Sequence, residues 1–215
     1  MTLRSKWFAG LAKQLGHPSG IRGRVVGAIL NRRNRANLTA AARALAPAPG
    51  GVVADVGFGG GIGLGLLLKA VGSTGQVHGV EVSQTMLSGT SRRFRRQISQ
   101  GRLRLHRASI MELPFEDGCL DGVLTVNTIY FVDDLATACA ELARVTRASG
   151  RVVVGLADPV AMAELPFTAY GFRTRPVSEV IAVLEGAGLT VELDRRVGDG
   201  AGAYHLLTST ATAAV

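Results

Sequence analysis

The run VVADV (Val52 to Val56) carries apolar residues on both faces, with Asp55 its one polar residue, and it breaks at once into GFGGG, four glycines in five residues. A strand apolar on both faces belongs inside a parallel sheet covered by helices above and below. Glycines directly after it let the backbone turn sharply and approach a ligand with no side chain in the way. From Gly51 onward, short β-branched runs alternate with helical patterns, the signature of βαβ units. The spacing predicts further strands over Gln76 to Val82, Arg102 to His106, Gly122 to Val126, Arg151 to Ala157, Leu189 to Leu193 and Ala203 to Thr208. Helices are predicted over Ile62 to Val71, Gln84 to Gln100, LATACAELARVTR and Val177 to Gly186, with Pro159 to Pro176 irregular. Asp133 and Asp134 stand before LATACAELARVTR as helix caps.

The first 46 residues read as a separate appendage of two helices, Leu3 to Leu15 and Arg22 to Leu45, broken by GHPSG. Trp7, Phe8, Leu11 and Leu15 share a face, with Lys6 and Lys13 nearby. That pattern suits a lid over a ligand cleft and, as a second reading, weak insertion into a membrane interface. At 215 residues, 47% hydrophobic and 19% charged, the chain holds one well-cored domain and no second one of ordinary size. Lys69, Glu81 and many arginines interrupt every apolar run long enough to span a bilayer, so no membrane crossing is expected. No cleavage pattern follows WFAGLA, and a secretory signal is not expected either. Cys119 and Cys139 lack zinc or redox spacing and are predicted to be buried thiols in a reducing cytoplasm.

The glycine turn can be tested against known ligand loops. The dinucleotide spacing G-x-G-x-x-G puts Ile62, Leu64 or Leu66 at the third glycine and fails in each register. The phosphate loop fails because Ala70 follows Lys69. What remains is acidic-x-Gly-x-Gly, Asp55 to Gly59. Here the sequence resembles the class I S-adenosylmethionine (SAM)-dependent methyltransferases, whose first motif has this order. The resemblance implies a Rossmann-like α/β fold with a seven-stranded, mostly parallel sheet, helices on both faces and an antiparallel last strand. In this chain an N-terminal helical lid over 1–46 would precede a SAM-binding domain over 47–215.

The resemblance also implies the cofactor residues. SAM carries an ammonium and a sulfonium, so Asp55 is expected near its amino-acid portion, directly or through water. Gly57, Phe58, Gly59 and Gly61 form the loop, and Glu81, closing QVHGVEV, accepts hydrogen bonds from both ribose hydroxyls. Val82, Ser83 and Met86 match positions flanking adenine, although Met86 serves equally as helix core. The stretch ASIMELPFEDGCLDGVLTVNTIYFV is similar to the family's G-D-A-x-x-L-P-F-x-D-x-x-F-D, with Leu113-Pro114-Phe115 and Asp121 in agreement. Ala108-Ser109 replaces Gly-Asp, which leaves Ser109 and Ile110 at the adenine edge. Asn127 ends the next strand, beside the sulfonium and facing the acceptor. ELARVTRASGRVVVG is like the family's E-x-x-R-V-L-x-P-G-G segment. HPSGIRGRVVGAILNRRNRANL resembles a bacterial subgroup of small methyltransferases, in which Asn31, Arg32, Asn34 and Asn37 either reach the cofactor's carboxylate or only form a helix surface and its caps.

Methyl transfer from a sulfonium is a direct displacement, so alignment and water exclusion matter more than a strong base. Where a base is used, Tyr130 and His17 are the catalytic candidates, with Asp158 also available. His78 and His106 fall in strands as structural residues, and His205 is open. No metal is expected, since only Asn127 and Asp158 approach a ligand set. SAM is the expected cofactor and S-adenosylhomocysteine the product. The expected acceptor is a small apolar, aromatic or lipid-like molecule, because Trp7, Phe8, Phe167, Tyr170 and Phe172 fall in the segments capping the cleft.

Two alternatives stand beside it. A formal charge of +8 raises an RNA or protein methyltransferase using the arginine groups Arg22, Arg24, Arg32, Arg33, Arg35 and Arg92, Arg93, Arg95, Arg96, Arg102, Arg104, Arg107. Few rings interleave those charges, the Asn-Pro-Pro-Tyr pattern of base methylation lacks its prolines, and no cysteine is placed for attack on cytosine, so a solvated face is the favoured reading and nucleic acid the disfavoured partner. The other alternative is a SAM-binding module that transfers nothing. Weak membrane-surface association and a homo-oligomer are both compatible with the sequence.

Overall fold

The computed structural model of the chain describes residues 34–164, 168, 171–199 and 202–212. The expected Leu3 to Leu15 helix, His17, Trp7, Phe8, Asn31, Arg32, Phe167 and Tyr170 lie outside these residues. Helix α1 covers 34–45, and the chain then alternates strand and helix. The order is β1 (Val52–Val56), α2 (Ile62–Ala70), β2 (Gln76–Val80), α3 (Gln84–Arg93), α4 (Arg95–Ser99), β3 (Leu103–His106) and β4 (Leu120–Val126). A 3-10 turn (Ile129–Phe131), α5 (Leu135–Val145), β5 (Thr146–Ala157), α6 (Pro159–Ala163), α7 (Val177–Gly186), β6 (Leu189–Val197) and β7 (Tyr204–Ala211) follow.

The seven strands form one sheet in the order β3-β2-β1-β4-β5-β7-β6. Neighbours from β3 to β5 are parallel, and β7 runs antiparallel to both β5 and β6. The direction of winding reverses between β1 and β4, which opens a crevice beyond their carboxyl ends. Both faces of the sheet are covered, as the unbroken apolar strands require. Leu64, Leu67, Met86 and Phe94 pack with Val53, Val77, Leu124 and Val153 on one face, joined by Ala41, Ala42 and Leu45 of α1. Leu135, Cys139, Leu142, Val180 and Leu184 pack with Val80, Val123, Val152 and Val154 on the other. Among the described residues no helix is long and apolar enough to cross a membrane.

Several elements differ from the sequence expectation. The helix predicted over Gln84 to Gln100 breaks at Phe94, which leaves helical geometry (φ −107°, ψ 23°). Its ring turns inward and packs beside Gly61 and Gly65. Burial of one large ring thus overrides helical continuity. β5 begins at Thr146 rather than Arg151 and passes through Ser149 with φ 63°. β6 and β7 are longer than predicted because each supplies the other's hydrogen bonds from Leu189 to Val197. Asp134 caps α5, its Oδ1 accepting the Thr137 N–H at 3.0 Å, whereas Asp133 pairs with Arg173 at 2.6 Å. Cys139 is buried, but Cys119 is exposed, because it sits in the turn leading into β4 and not in the strand.

The family-like E-x-x-R segment has a structural purpose. Arg144 on α5 binds Glu141 at 2.6 Å and Asp117 at 2.7 Å, and donates to the carbonyls of Phe115 (2.8 Å) and Leu113 (3.1 Å). Glu141 in turn accepts the Leu113 N–H at 2.7 Å. One guanidinium fork therefore pins the LPFED loop to α5, a geometry that a lysine point charge does not reproduce. Asp121 likewise accepts the N–H of Val52 at 2.6 Å and pairs with Arg147 at 2.8 Å, which locks the start of β1. Arg144→Ala is expected to lower unfolding stability by roughly 2 kcal/mol, with Arg144→Lys recovering at most about half, measured by urea denaturation.

Candidate active site

The site begins at the turn after β1. Gly57, Gly59 and Gly61 have φ of 74°, 51° and 73°, left-handed values that glycine adopts without strain. A Cβ on Gly57 would fall on the Thr128 side chain, whose hydroxyl donates to the Val56 carbonyl at 3.3 Å. At Gly59 no described residue lies within 4 Å of the Cβ position, so among the described residues this side of the turn is open. Phe58 turns its ring into the core beside Leu64, leaving its backbone to the loop.

Two carboxylates flank the turn. Asp55, at 2% exposure, has one carboxylate oxygen, Oδ2, with no hydrogen-bond partner among the described residues. Gly63 in the first turn of α2 makes room for it, since a Cβ there would fall on that oxygen. Burial, and secondly the neighbouring Glu81 charge, push the Asp55 carboxyl up to about 7. Glu81 follows β2 directly. Its Oε2 accepts the Gly59 N–H at 3.0 Å and its Oε1 accepts the Ser83 N–H at 3.0 Å. Each oxygen keeps further acceptor capacity for a ligand hydroxyl.

Beyond Glu81, Ser83 caps α3 by accepting the Met86 N–H at 3.3 Å. Val82 is exposed, whereas Met86 lies in the apolar core. Ser109 sits in the loop after β3, half-buried, its hydroxyl accepting the Met111 N–H at 3.1 Å; Ile110 beside it is buried. Asn34 and Asn37 are half-buried on α1. Asn127 leaves β4 with φ 60°, a left-handed conformation for a residue that is not glycine, and its N–H donates to Gly155 O at 2.9 Å. The predicted residues Asp55, Gly57, Gly59, Gly61, Glu81, Val82, Ser109 and Asn127 thus lie at the carboxyl ends of β1, β2, β3 and β4, on one rim of the sheet.

Past Asn127 the rim becomes aromatic. Tyr130 packs at 5.9 Å from Phe172, and Phe131 at 4.8 Å from Phe172. Arg175 fastens this segment to the 3-10 turn through the carbonyls of Ile129 and Val132, at 2.9 and 2.8 Å. The Tyr130 hydroxyl accepts the Ala157 N–H, and burial pushes its phenol far above the ordinary range. Asp158 caps α6, where the N–H of Ala161 and then that of Val160, with His205 and Arg196, hold its carboxyl below the usual range. It is a weak proton acceptor in that setting. His205 bridges Asp194 (2.8 Å) and Asp158 (3.4 Å).

His78 and His106 are structural, as expected: their ring nitrogens meet at 2.9 Å and Phe115 packs edge-on against both. Burial is the first cause that lowers His78 to about 4. No group of three His, Cys, Asp or Glu among the described residues is arranged to hold a metal ion.

Gly63 and Tyr204 escaped sequence reasoning. The Tyr204 hydroxyl occupies the space that a Cβ on Gly155 would need. A glycine in the first turn of a largely aliphatic helix was a readable signal for Gly63; pairing across strands left none for Tyr204.

The two shifted groups oppose each other in pH. The folded chain keeps the Asp55 proton where the unfolded chain has lost it, so this group's effect is a stability that declines from about pH 4 to about pH 7. The unfolded chain protonates His78 below 6.5 while the folded chain resists until about 4, so that contribution declines as pH falls. The melting temperature of Asp55→Asn minus that of the wild type is expected to rise with pH across the first window, and that of His78→Gln to rise as pH falls across the second.

A sequence model of the family described as "Methyltransferase domain" matches residues 54–154. An uncharacterized 37.1 kDa protein in transposon TN4556 of Streptomyces fradiae is 38% identical over 115 residues, 54% of this chain and 32% of that protein. The 2-phytyl-1,4-naphtoquinone methyltransferase of Trichormus variabilis is 31% identical over 106 residues, 49% of this chain and 46% of the enzyme. The aligned part is thus less than half the length of either relative. Among solved structures, geranyl diphosphate C-methyltransferase from Streptomyces coelicolor, in complex with Mg2+, geranyl diphosphate and S-adenosyl-L-homocysteine, superposes with a TM-score of 0.70 at 17% identity, covering 91% of this chain and 86% of that one. At that identity the likeness speaks for the fold, and the fold agrees with the domain match. Over residues 54–154, a little under half of its length, the chain is similar to the methyltransferase domain family, and its fold is the Rossmann-like one of the class I methyltransferases.

Proposed function

We propose that this chain transfers the methyl group of SAM to a small apolar or aromatic acceptor. The observation that carries the reading is the carboxylate pair at the glycine turn. Glu81 is oriented by two backbone N–H groups with acceptor capacity to spare for a ribose diol, and Asp55 keeps a buried oxygen with no partner. An orphaned buried carboxylate oxygen is costly unless a donor or cation meets it. When bound, SAM supplies an electrophilic methyl group on a sulfonium and an ammonium to satisfy such an oxygen. Gly59 leaves the turn's outer side clear, Val82 and Ser109 line the adenine edge, and Asn127 stands where methyl donor and acceptor meet.

The acceptor class is read from the far rim. Tyr130, Phe131 and Phe172 offer ring faces to an apolar molecule. The quinone and geranyl diphosphate named for the relatives are acceptors of that chemistry. The Tyr130 phenol holds its proton too tightly to act as a base at neutral pH, so Tyr130 positions the acceptor while the cleft excludes water. An acceptor that is already nucleophilic, or that ionises in solution, needs nothing more.

Calorimetry with SAM is expected to give saturable 1:1 binding that Glu81→Ala weakens by about a hundredfold or more, since two hydrogen bonds to a charged group are lost. Binding near neutral pH is expected to release a proton from Asp55, so affinity weakens as pH falls below about 7 and Asp55→Asn abolishes the dependence. Incubation with methyl-labelled SAM and a panel of quinones, phenols and prenyl compounds, read by mass spectrometry, tests transfer itself. Failure to bind SAM at millimolar concentration, or equal labelling by wild type and Glu81→Ala, would overturn the proposal.

A further inference from the structure

The charges of this chain are divided along its sequence. Residues 1–111 contain seventeen Lys and Arg against two acids, Asp55 and Glu81, whereas residues 112–215 contain seven Arg against fourteen acids. Both acids of the first part are buried at the cofactor turn and contribute little to the surface. The fold converts this division into a spatial one. Residues 51–111 build α2 to α4 and the β3-β2-β1 side of the sheet, residues from 112 onward build the β4-β5-β7-β6 side, and α1 lies against β4 and β5. The change of sign therefore falls at the switch point, next to the site.

The basic side is not neutralised internally. Among the described residues, every ion pair joins partners from the second part of the chain. Arg92, Arg93, Arg95, Arg96, Arg104 and Arg107 are exposed, and no acid occurs between Glu81 and Glu112. Arg102 is the exception in purpose, since it is half-buried and donates to the Leu68 carbonyl at 3.0 Å and to that of Gly72. Arg93 donates to the Gly60 carbonyl at 3.3 Å, so the basic face reaches the cofactor turn itself. Two of the four exposed large apolar side chains among the described residues, Val82 and Met111, bracket the acid-free segment.

We propose that the face formed by α3, α4 and the β3 edge docks on an anionic lipid bilayer and presents the mouth of the site to the membrane. Clusters of four to eight basic residues are attracted to acidic headgroups without insertion of a spanning helix. The acidic half of the molecule is repelled from the same surface, which sets a single orientation. Phe94, the one phenylalanine, tyrosine or tryptophan between Val82 and Met111, is buried, so the face lacks the stacking rings of a single-stranded nucleic-acid platform. The choice of a lipid surface rests on the reading of an apolar acceptor, a molecule that partitions into bilayers.

The test uses the full chain and phosphatidylcholine vesicles with or without phosphatidylglycerol, read by co-sedimentation. Binding is expected only to the anionic vesicles and is expected to be lost between about 0.1 and 0.5 M salt. Arg92→Gln, Arg95→Gln, Arg96→Gln and Arg104→Gln combined are expected to weaken it by about a thousandfold. SAM affinity and circular dichroism should stay at wild-type values, which shows that the variant folds. Equal sedimentation with neutral vesicles, or no difference between variant and wild type, would overturn the proposal. So would retention of single-stranded RNA against excess anionic vesicles, or a dimer that the same substitutions dissolve. Docking is read without turnover, so an inactive acceptor panel and an absent membrane surface give different results.

Discussion

The hydrogen bond from the Gly59 N–H to the Glu81 carboxylate joins the ends of β1 and β2, and much of the site depends on it. It forms only because the backbone between Gly57 and Gly61 passes three times through left-handed geometry, which brings the Gly59 amide around to face the neighbouring strand. The same carboxylate takes the Ser83 N–H and so sets where α3 starts. Gly57 yields its side-chain space to Thr128, and Gly63 yields its own to Asp55. The absence of Cβ atoms at these positions lets β1, β4 and α2 approach closely enough to form a rim.

That rim is electrostatically uneven in a useful way. Asp55 is held in an apolar environment beside a second carboxylate, a setting that favours a proton or a cation and penalises a bare charge. Asp158, only one residue past β5, is stabilised as an anion by helix amides, His205 and Arg196. Two aspartates near the same sheet edge therefore have opposite character: one keeps an unpartnered buried oxygen and the other is already satisfied. Burial holds the proton on Tyr130, so that phenol is no base at neutral pH.

The supporting structure shows why motif residues remote from the turn occur. Leu113-Pro114-Phe115 is a loop whose backbone groups are held by Glu141 and Arg144, and Phe115 closes over the His78 and His106 pair. Asp121 reaches across 69 residues of sequence to the first amide of β1. These contacts fix the heights of β3 and β4 relative to β1, and hence the depth of the crevice between them.

The sequence by itself determined the alternation of strands and helices, the glycine turn and the two acidic residues that flank it. Each of these follows from local patterning, apolar periodicity or a requirement for glycine, which are properties of neighbouring residues. Only the tertiary structure decided that the long second helix breaks at Phe94, that β5, β6 and β7 extend further than their patterns, and that Cys119 is exposed. Those outcomes depend on partners distant in sequence: a core pocket beside α2, edge hydrogen bonds between β6 and β7, and the turn ahead of β4. The same holds for the division of charge. The count was written in the chain, but the sheet order, with β4 beside β1, turned it into two faces that meet at the site.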